Sequence, residues 1–419
     1  MVCGLVPILK TRRSVFSINF AREFYHSMER KVILKKGKEY SIERFHPWIF
    51  SGAIQSTEGD LTDGCWVEVL SYKKKVLGRG HYQNGSIMVR MLSFDAEPVT
   101  DFWAARIKCA LQLRKSSSMP SASTNAFRVI HGEGDGLPGL IVDYYNGIAV
   151  MQAHSVGMHL DRMNIVEALK RNLSEDLKAV YYKSQSTLPG KDREALADEY
   201  LFGMSAVPHL IHENENKFFV DWEEGQKTGF FLDQRDNRKL LTHFTEGKNV
   251  LNTFCYSGGF SIYGLSAKAA LVHSVDSSEK AIDLTRKNIE LNGFSAMEHP
   301  CFAEDVFQFM KDKHDRYDLI VLDPPAFAKH RDARHQAVKG YQRLNAEAMK
   351  IIKQGGIIFT FSCSQVVDKK LFYDTVVSAA IQAGRQIKVL HHLSQAPDHP
   401  VSIFHPEGEY LKGLVLYVE

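Results

Sequence analysis

A cysteine and an aspartate, each set where a short apolar run stops, are the residues of this sequence best placed to do chemistry. Cys363 stands in Phe361-Ser362-Cys363-Ser364 after Ile357–Phe361, and Asp323 opens Asp323-Pro324-Pro325-Ala326-Phe327 after Leu319–Leu322. Two prolines stiffen a strand-end turn and fix the Asp323 carboxylate over whatever binds there. A lone cysteine is more often a small buried hydrophobe; a place at a sheet rim beside a proline turn favours a nucleophile. A thiolate can add to carbon 6 of a cytosine, which makes carbon 5 enamine-like and able to accept a methyl group from a sulfonium. A base then removes the carbon-5 proton and the thiol leaves. The role needs Cys363 partly ionised against the pKa-raising effect of burial. It also gives Asp323 a task, bonding the ring nitrogen or exocyclic amine as charge develops. The cytosine must be unpaired or flipped out.

The cofactor signals sit at other strand ends. Asn252-Thr253-Phe254-Cys255-Tyr256-Ser257-Gly258-Gly259 ends a first strand with paired glycines that allow a sharp turn close to a ligand. The third glycine of a dinucleotide fingerprint is missing, which disfavours a pyrophosphate and leaves a nucleoside. Asp276, followed by Ser277, comes about 20 residues on, where a carboxylate can bond both ribose hydroxyls; capping the next helix is an equal reading. Asp305, followed by Val306, ends the third strand and can hold an adenine amino group or cap a helix. Together with Asp323 and Pro324, these strand ends follow the order of class I S-adenosylmethionine methyltransferases.

The elements that must position them follow from periodicity. From Asn249 onward, short apolar runs (Val250–Phe254, Leu271–Val275, Leu319–Leu322, Ile357–Phe361) alternate with helical stretches (Phe260–Ala269, Lys280–Asn292, Val306–Lys313 and one ending near Lys353 before Gly355-Gly356). That alternation predicts a doubly wound, Rossmann-like α/β sheet with ligands at its carboxyl ends. Upstream, Val32–Leu34, Trp66–Leu70 and Ile87–Leu92 predict a small β-rich barrel, followed by a helix over Val99–Lys115 and a polar linker, Ser116–Ser121. Strands at Leu140–Asp143, Ile148–Ala153 and Ala179–Lys183 with a helix over Leu160–Asn172 predict a small α+β unit. The Gly132–Gly139 segment precedes a strand, so it is a turn and not a phosphate loop. The expected division is residues 28–115, 116–212 and 213–419, with residues 1–27 an unstructured extension.

Composition agrees with a soluble chain of several domains. It has 419 residues, 44% hydrophobic and 24% charged, and lacks an apolar run near the ~18 residues that cross a bilayer. Six cysteines without a C-x-x-C pair argue against a zinc site or a disulfide framework and fit a reducing cytoplasm; no metal is expected. Through residue 120, 19 Lys and Arg face 11 Asp and Glu, and the remaining 33 face 38, so the N-terminal part carries +8 and the rest −5. A basic module for a polyanion, fused to a domain with another task, is the reading. Met1–Arg22 holds four basic residues and no acid, as a transit peptide does; translation from Met28 is the preferred expectation.

Arg44–Gly52, Gly136–Gly139, Lys227–Arg235, Asp323–Pro325, Phe361–Ser364 and Asp398–Pro400 together resemble the bacterial 23S ribosomal RNA cytosine-5 methyltransferase family known as RlmI, over nearly all of Met28–Glu419. The resemblance implies a PUA domain for RNA, a central α+β domain and a methyltransferase domain that binds S-adenosylmethionine. It makes Lys227–Arg238 an additional cofactor motif, carrying Lys227, Thr228, Gly229, Phe231, Asp233 and Arg235; on residue types alone this is a turn around Gly229 before a charged segment. It implies 23S rRNA as partner, with a homodimer as a further option. Many RNA cytosine-5 methyltransferases carry a second cysteine after the paired prolines; here Ala326 stands there, which leaves Asp323 or a water to take the carbon-5 proton. Phe327 is one position too late to stack a target base as exocyclic-amine methyltransferases do. Two alternatives remain: methylation of another RNA atom, with Cys363 a bystander, and a non-catalytic RNA-binding or ribosome-assembly factor.

Overall fold

A computed structural model of the protein describes residues 29–95, 101–189, 197–311, 313–328 and 331–419. The proposed N-terminal extension and the start at Met28 lie outside these residues.

The strands of the C-terminal sheet are β1 (Asn249–Thr253), β2 (Leu271–Asp276), β3 (Cys301–Ala303), β4 (Tyr317–Leu322), β5 (Ile352–Ser362), β6 (Ile387–Leu393) and β7 (Lys412–Val418). They lie in the order β3-β2-β1-β4-β5-β7-β6, with β7 antiparallel to both its neighbours. Both faces are covered, which is why the strands read as unbroken apolar runs. Val250, Leu319, Val321, Phe359 and Phe361 enter one core, while Leu251, Ile320, Leu322 and Ile358 enter another. The covering helices are α1 (Gly259–Ser266), α2 (Glu279–Leu291), α3 (Val306–Met310), α4 (Arg334–Ile351) and α5 (Lys369–Ala383). Strand order reverses between β1 and β4, the place where open α/β sheets open a crevice for ligands.

One boundary differs from the sequence expectation. Gly355-Gly356 does not close α4: the helix stops at Ile351, β5 begins at Ile352, and both glycines lie inside that strand. Its pairing with β4 shifts between Tyr317↔Ile352 and Leu319↔Ile357. Gly355, at φ +77°, supplies the left-handed residue that such a bulge needs. Helix α3 is also shorter than expected, because Lys311 turns extended.

The β-rich N-terminal part is a six-stranded sheet with Trp48–Phe50 at one edge and Ile54–Glu58 at the other. A central five-stranded sheet follows, bounded by Glu199–Phe202 and Ala126–His131. Side chains alternate across its strands. Tyr145, Val150 and Tyr181 pack with the C-terminal sheet's core, while Phe127, Met151 and Tyr182 pack beneath the helices Phe102–Ser116 and Arg162–Leu173. A hairpin, His209–Glu213 with Asn216–Val220, joins the C-terminal core through Ile211 and Phe218. Among the described residues, no helix is long and apolar enough to cross a membrane.

Candidate active site

The turn after β1 is tightly folded. Phe254, Tyr256 and Gly258 all have positive φ (53°, 47° and 77°), and a Cβ on Gly258 would stand 2.7 Å from the Thr285 methyl. The turn is tied from outside: Thr285 Oγ1 donates to the Tyr256 carbonyl at 2.8 Å, and Asn288 Nδ2 to that of Ser257 at 2.8 Å. Asp276 receives the Tyr256 N–H at 3.1 Å and the Ser278 N–H at 2.9 Å. Ser278, not Asp276, caps α2, so the helix-cap alternative for Asp276 falls away; Ser277 beside it is exposed. For Asp305 the cap is real: one carboxylate oxygen accepts the Gln308 N–H at 3.1 Å, and Val306 is buried. Asn252 is buried near the end of β1, its Nδ2 on Ser261 and its Oδ1 without a partner among the described residues.

The segment from Lys227 to Arg238 folds over this turn. Tyr256 clamps it, donating its hydroxyl to the Gly229 carbonyl at 3.0 Å and accepting from the Gln226 N–H at 3.0 Å. Phe231 meets the Tyr256 ring edge-on at 5.3 Å. Gly229 has φ +114°, and a Cβ there would lie 2.9 Å from the Asp221 carbonyl. Lys227 is exposed, with φ +53°. Two motif residues turn away from any ligand. Thr228 donates to Asp143 at 2.6 Å, and Arg235 forks onto Asp398 at 2.8 and 2.9 Å, both pairs buried. These side chains fasten the motif to the central sheet and to the loop after β6. Asp233 is different: Tyr410 donates to its Oδ2 at 2.6 Å, and its Oδ1 is buried without a partner among the described residues.

Asp323 and Cys363 lie together at the ends of β4 and β5, each half-buried, with the Cys363 thiol 3.9 Å from the Pro324 carbonyl. Burial, reinforced by Asp233, raises Asp323 to about 7, although Gln234 bonds its carboxylate. Burial, then Asp323 and Asp233, push the Cys363 thiol up to about 11. Lys412 and Lys227 pull the other way and lose. The expectation of a partly ionised Cys363 is therefore corrected: the protein alone holds it as the thiol. Lys412, itself lowered to about 8 mainly by burial, donates to the Ser364 carbonyl at 2.7 Å.

The pocket suits a cationic nucleoside. Among the described residues, two buried oxygen acceptors of these segments, Asp233 Oδ1 and Asn252 Oδ1, have no partner, and two carboxylates lie beside the thiol. Its backbone turn at Gly258 leaves no room for a side chain.

Several supports carry no local sequence signal. Lys183, on the central domain, donates to the Trp222, Glu223 and Gly225 carbonyls and holds the approach to the motif. Arg238 forks onto Glu213 at 2.8 Å and also donates to the Phe231 carbonyl. The Lys183 and Glu213 bonds join partners 25 to 42 residues apart and leave no spacing to read.

Comparison with known proteins agrees with this geometry. Residues 32–94 match the family of PUA-like domains, and residues 127–406 the family of S-adenosylmethionine-dependent methyltransferases. The ribosomal RNA large subunit methyltransferase I of Shewanella amazonensis is 40% identical over 399 residues, 93% of this chain and all of that one. The protein of the same name from Aeromonas hydrophila is 39% identical, covering 93% and 99%. Among solved structures, SMU.776, described as a methyltransferase and crystallised with SAH, superposes with a TM-score of 0.80 at 22% identity, over 93% of this chain and all of that one.

Proposed function

Because this chain belongs to the ribosomal RNA large subunit methyltransferase I family of S-adenosylmethionine-dependent enzymes, we propose that it methylates carbon 5 of a cytosine in 23S ribosomal RNA through a transient Cys363 adduct. The observation that carries the reading is the pairing of Cys363 with Asp323 at adjoining strand ends, beside the acceptor-lined pocket. When bound, S-adenosylmethionine supplies the methyl group and a sulfonium charge. Asp233, Asn252, Asp276, Phe231 and the Phe254–Gly259 turn would hold it, with Asp305, Val306 and Pro324 lining the adenosine end. Lys227 reaches the mouth, while Thr228 and Arg235 keep the motif in place. We assign RNA capture to residues 28–115, methyl transfer to 213–419, and the support of both to 116–212.

In the reaction, Cys363 gives its proton to the Asp323 carboxylate, which passes it to ring nitrogen 3 as the sulfur bonds carbon 6. The ring's electron pair moves toward carbon 5, and Asp323 stabilises the ring by hydrogen bonding as charge develops. After carbon 5 carries the methyl group, its proton leaves, the sulfur–carbon bond breaks, and the departing thiolate takes back the proton from ring nitrogen 3 as the thiol. Asp323, near 7, can accept that proton at neutral pH.

Incubation of the enzyme with S-adenosylmethionine and 5-fluorocytosine-substituted 23S rRNA is expected to leave a denaturant-stable protein–RNA adduct, because fluorine cannot depart as a proton does. Cys363→Ala should form none. No adduct with the wild type, or one that survives in the variant, refutes the nucleophile.

A further inference from the structure

The motif Arg44–Gly52 has no part in the chemistry above, yet it carries the molecule's most unusual exposed aromatics. Phe45 is 50% exposed and Phe50 46% exposed, where ordinary packing would bury such rings. Phe45 also has φ +61°, at the turn that ends the helix Tyr40–Glu43. Glycine would make that turn without strain, and a bulky residue in the left-handed region costs on the order of a kilocalorie or more. The strain is explicable if the side chain itself is needed.

A second segment comes to the same spot. The loop between β6 and β7 stands with both feet on Asp233: the Ala396 N–H donates to its carbonyl at 3.0 Å, and the Tyr410 hydroxyl to its carboxylate at 2.6 Å. Its tip displays Ile403 (86% exposed) and Phe404 (48% exposed). Phe404 meets Phe45 at 5.3 Å between ring centres. Beneath them Trp48 packs on His405 at 4.3 Å and donates to Glu133 at 2.9 Å, which fixes the two segments together. Arg90 sits opposite Trp48 in the sheet with its Nη1 buried and unpartnered among the described residues, and Arg44 beside Phe45 is exposed.

We infer that Phe45 and Phe404 form one stacking platform for unpaired nucleotides flanking the target base, with Phe50 on its flank 6.3 Å from Trp48, built jointly by the N-terminal module and the loop that rests on Asp233. Flat exposed rings take nucleobases of any sequence, and residues 29–115, with 15 Lys and Arg against 10 Asp and Glu, carry +5, which suits the accompanying phosphates. Because the loop's feet are on a residue of the pocket, bases stacked at its tip set where the next nucleotide enters. The inference rests on the reading of the protein as an RNA methyltransferase.

Full-length protein is titrated into an unpaired 12-nucleotide RNA, into the full in vitro 23S rRNA transcript, and into assembled large ribosomal subunits. Phe45→Ala and Phe404→Ala should each weaken binding about 5- to 150-fold, the range for loss of one stacked base. Phe404→Tyr should keep most of the affinity, and Phe404→Leu, which keeps apolar area without a flat face, should not. Unchanged melting temperatures confirm that the variants fold. Wild-type affinity in Phe404→Leu overturns the platform. So does weakened binding to assembled subunits alone, with free transcript bound normally, because the partner would then be a protein. Cys363→Ala should bind both RNAs like the wild type, so a missing adduct with intact binding counts against the cytosine chemistry only.

Discussion

The Cys363 thiol is set between opposing charges, and the negative ones win. Asp323 and Asp233 raise it, Lys412 and Lys227 lower it, and burial settles the balance near 11. At pH 8 the thiolate is thus a small fraction in the protein alone, while exposed Cys109 is free to react. Removing one negative neighbour must lower the thiol's pKa, with a tenfold gain in thiolate for each unit. In Asp323→Asn, iodoacetamide should therefore label Cys363 several-fold faster at pH 8, measured by mass spectrometry against Cys109. Methylation should nevertheless fall by about 10²-fold or more, because the hydrogen-bonding carboxylate is lost. Slower labelling in the variant would remove this electrostatic account. Asp323 shows why residue types alone mislead here: its neighbour Asp233 is 90 positions away in the chain, so neither the raised carboxyl nor the protonated thiol could be read from local sequence.

Among elements, the extended motif before β1 is fixed by buried ion pairs as well as by Phe230 and Leu232 in the core. Arg235–Asp398 and Arg238–Glu213 are fully buried forks, and His399 adds a contact at 3.0 Å to Asp398. Truncating one partner of a buried pair strands the other, at a cost of about 3–5 kcal/mol. Asp398→Asn should accordingly lower the melting temperature clearly, while Arg235→Met with Asp398→Leu should lose much less; equal losses would mean that the charges are not coupled. The same pair marks the limit of sequence reading. Lys227–Arg235 and Asp398–Pro400 stand out as motifs, but only the structure shows Arg235 spent on Asp398 rather than on a ligand. Strands β1, β2, β4 and β5 were legible because both their faces are buried. By contrast, β6 keeps no regular pattern, since its pairing with β7 slips between Val389 and His391 and much of the strand is exposed.

Over the whole molecule, histidines held neutral link stability to pH. Burial and cationic neighbours lower His273 to about 4, and hold His131 well below its usual range. The unfolded chain takes up these protons below about 6.5, so stability is full above that pH and declines as pH falls toward 4. Asp398, depressed in the folded state by His399 and Arg235, adds stability that is lost only at still lower pH. Asp323, raised to about 7, works the other way over the same range, so melting temperature should drop from pH 6.5 to 4 most clearly in Asp323→Asn; a flat profile in that variant would contradict the neutral-histidine assignment. The order β5-β7-β6 bears on how such a molecule comes into being. Ribosomes deliver Cys363 and its strand about fifty residues before Lys412–Val418, the segment that must slot between β5 and β6. Until then β5 has a hydrogen-bonded neighbour on one side only, and the loop standing on Asp233 lacks its second foot, Tyr410. A growing chain therefore carries its nucleophile without a finished site, and catalytic competence arrives only once Lys412–Val418 has been made.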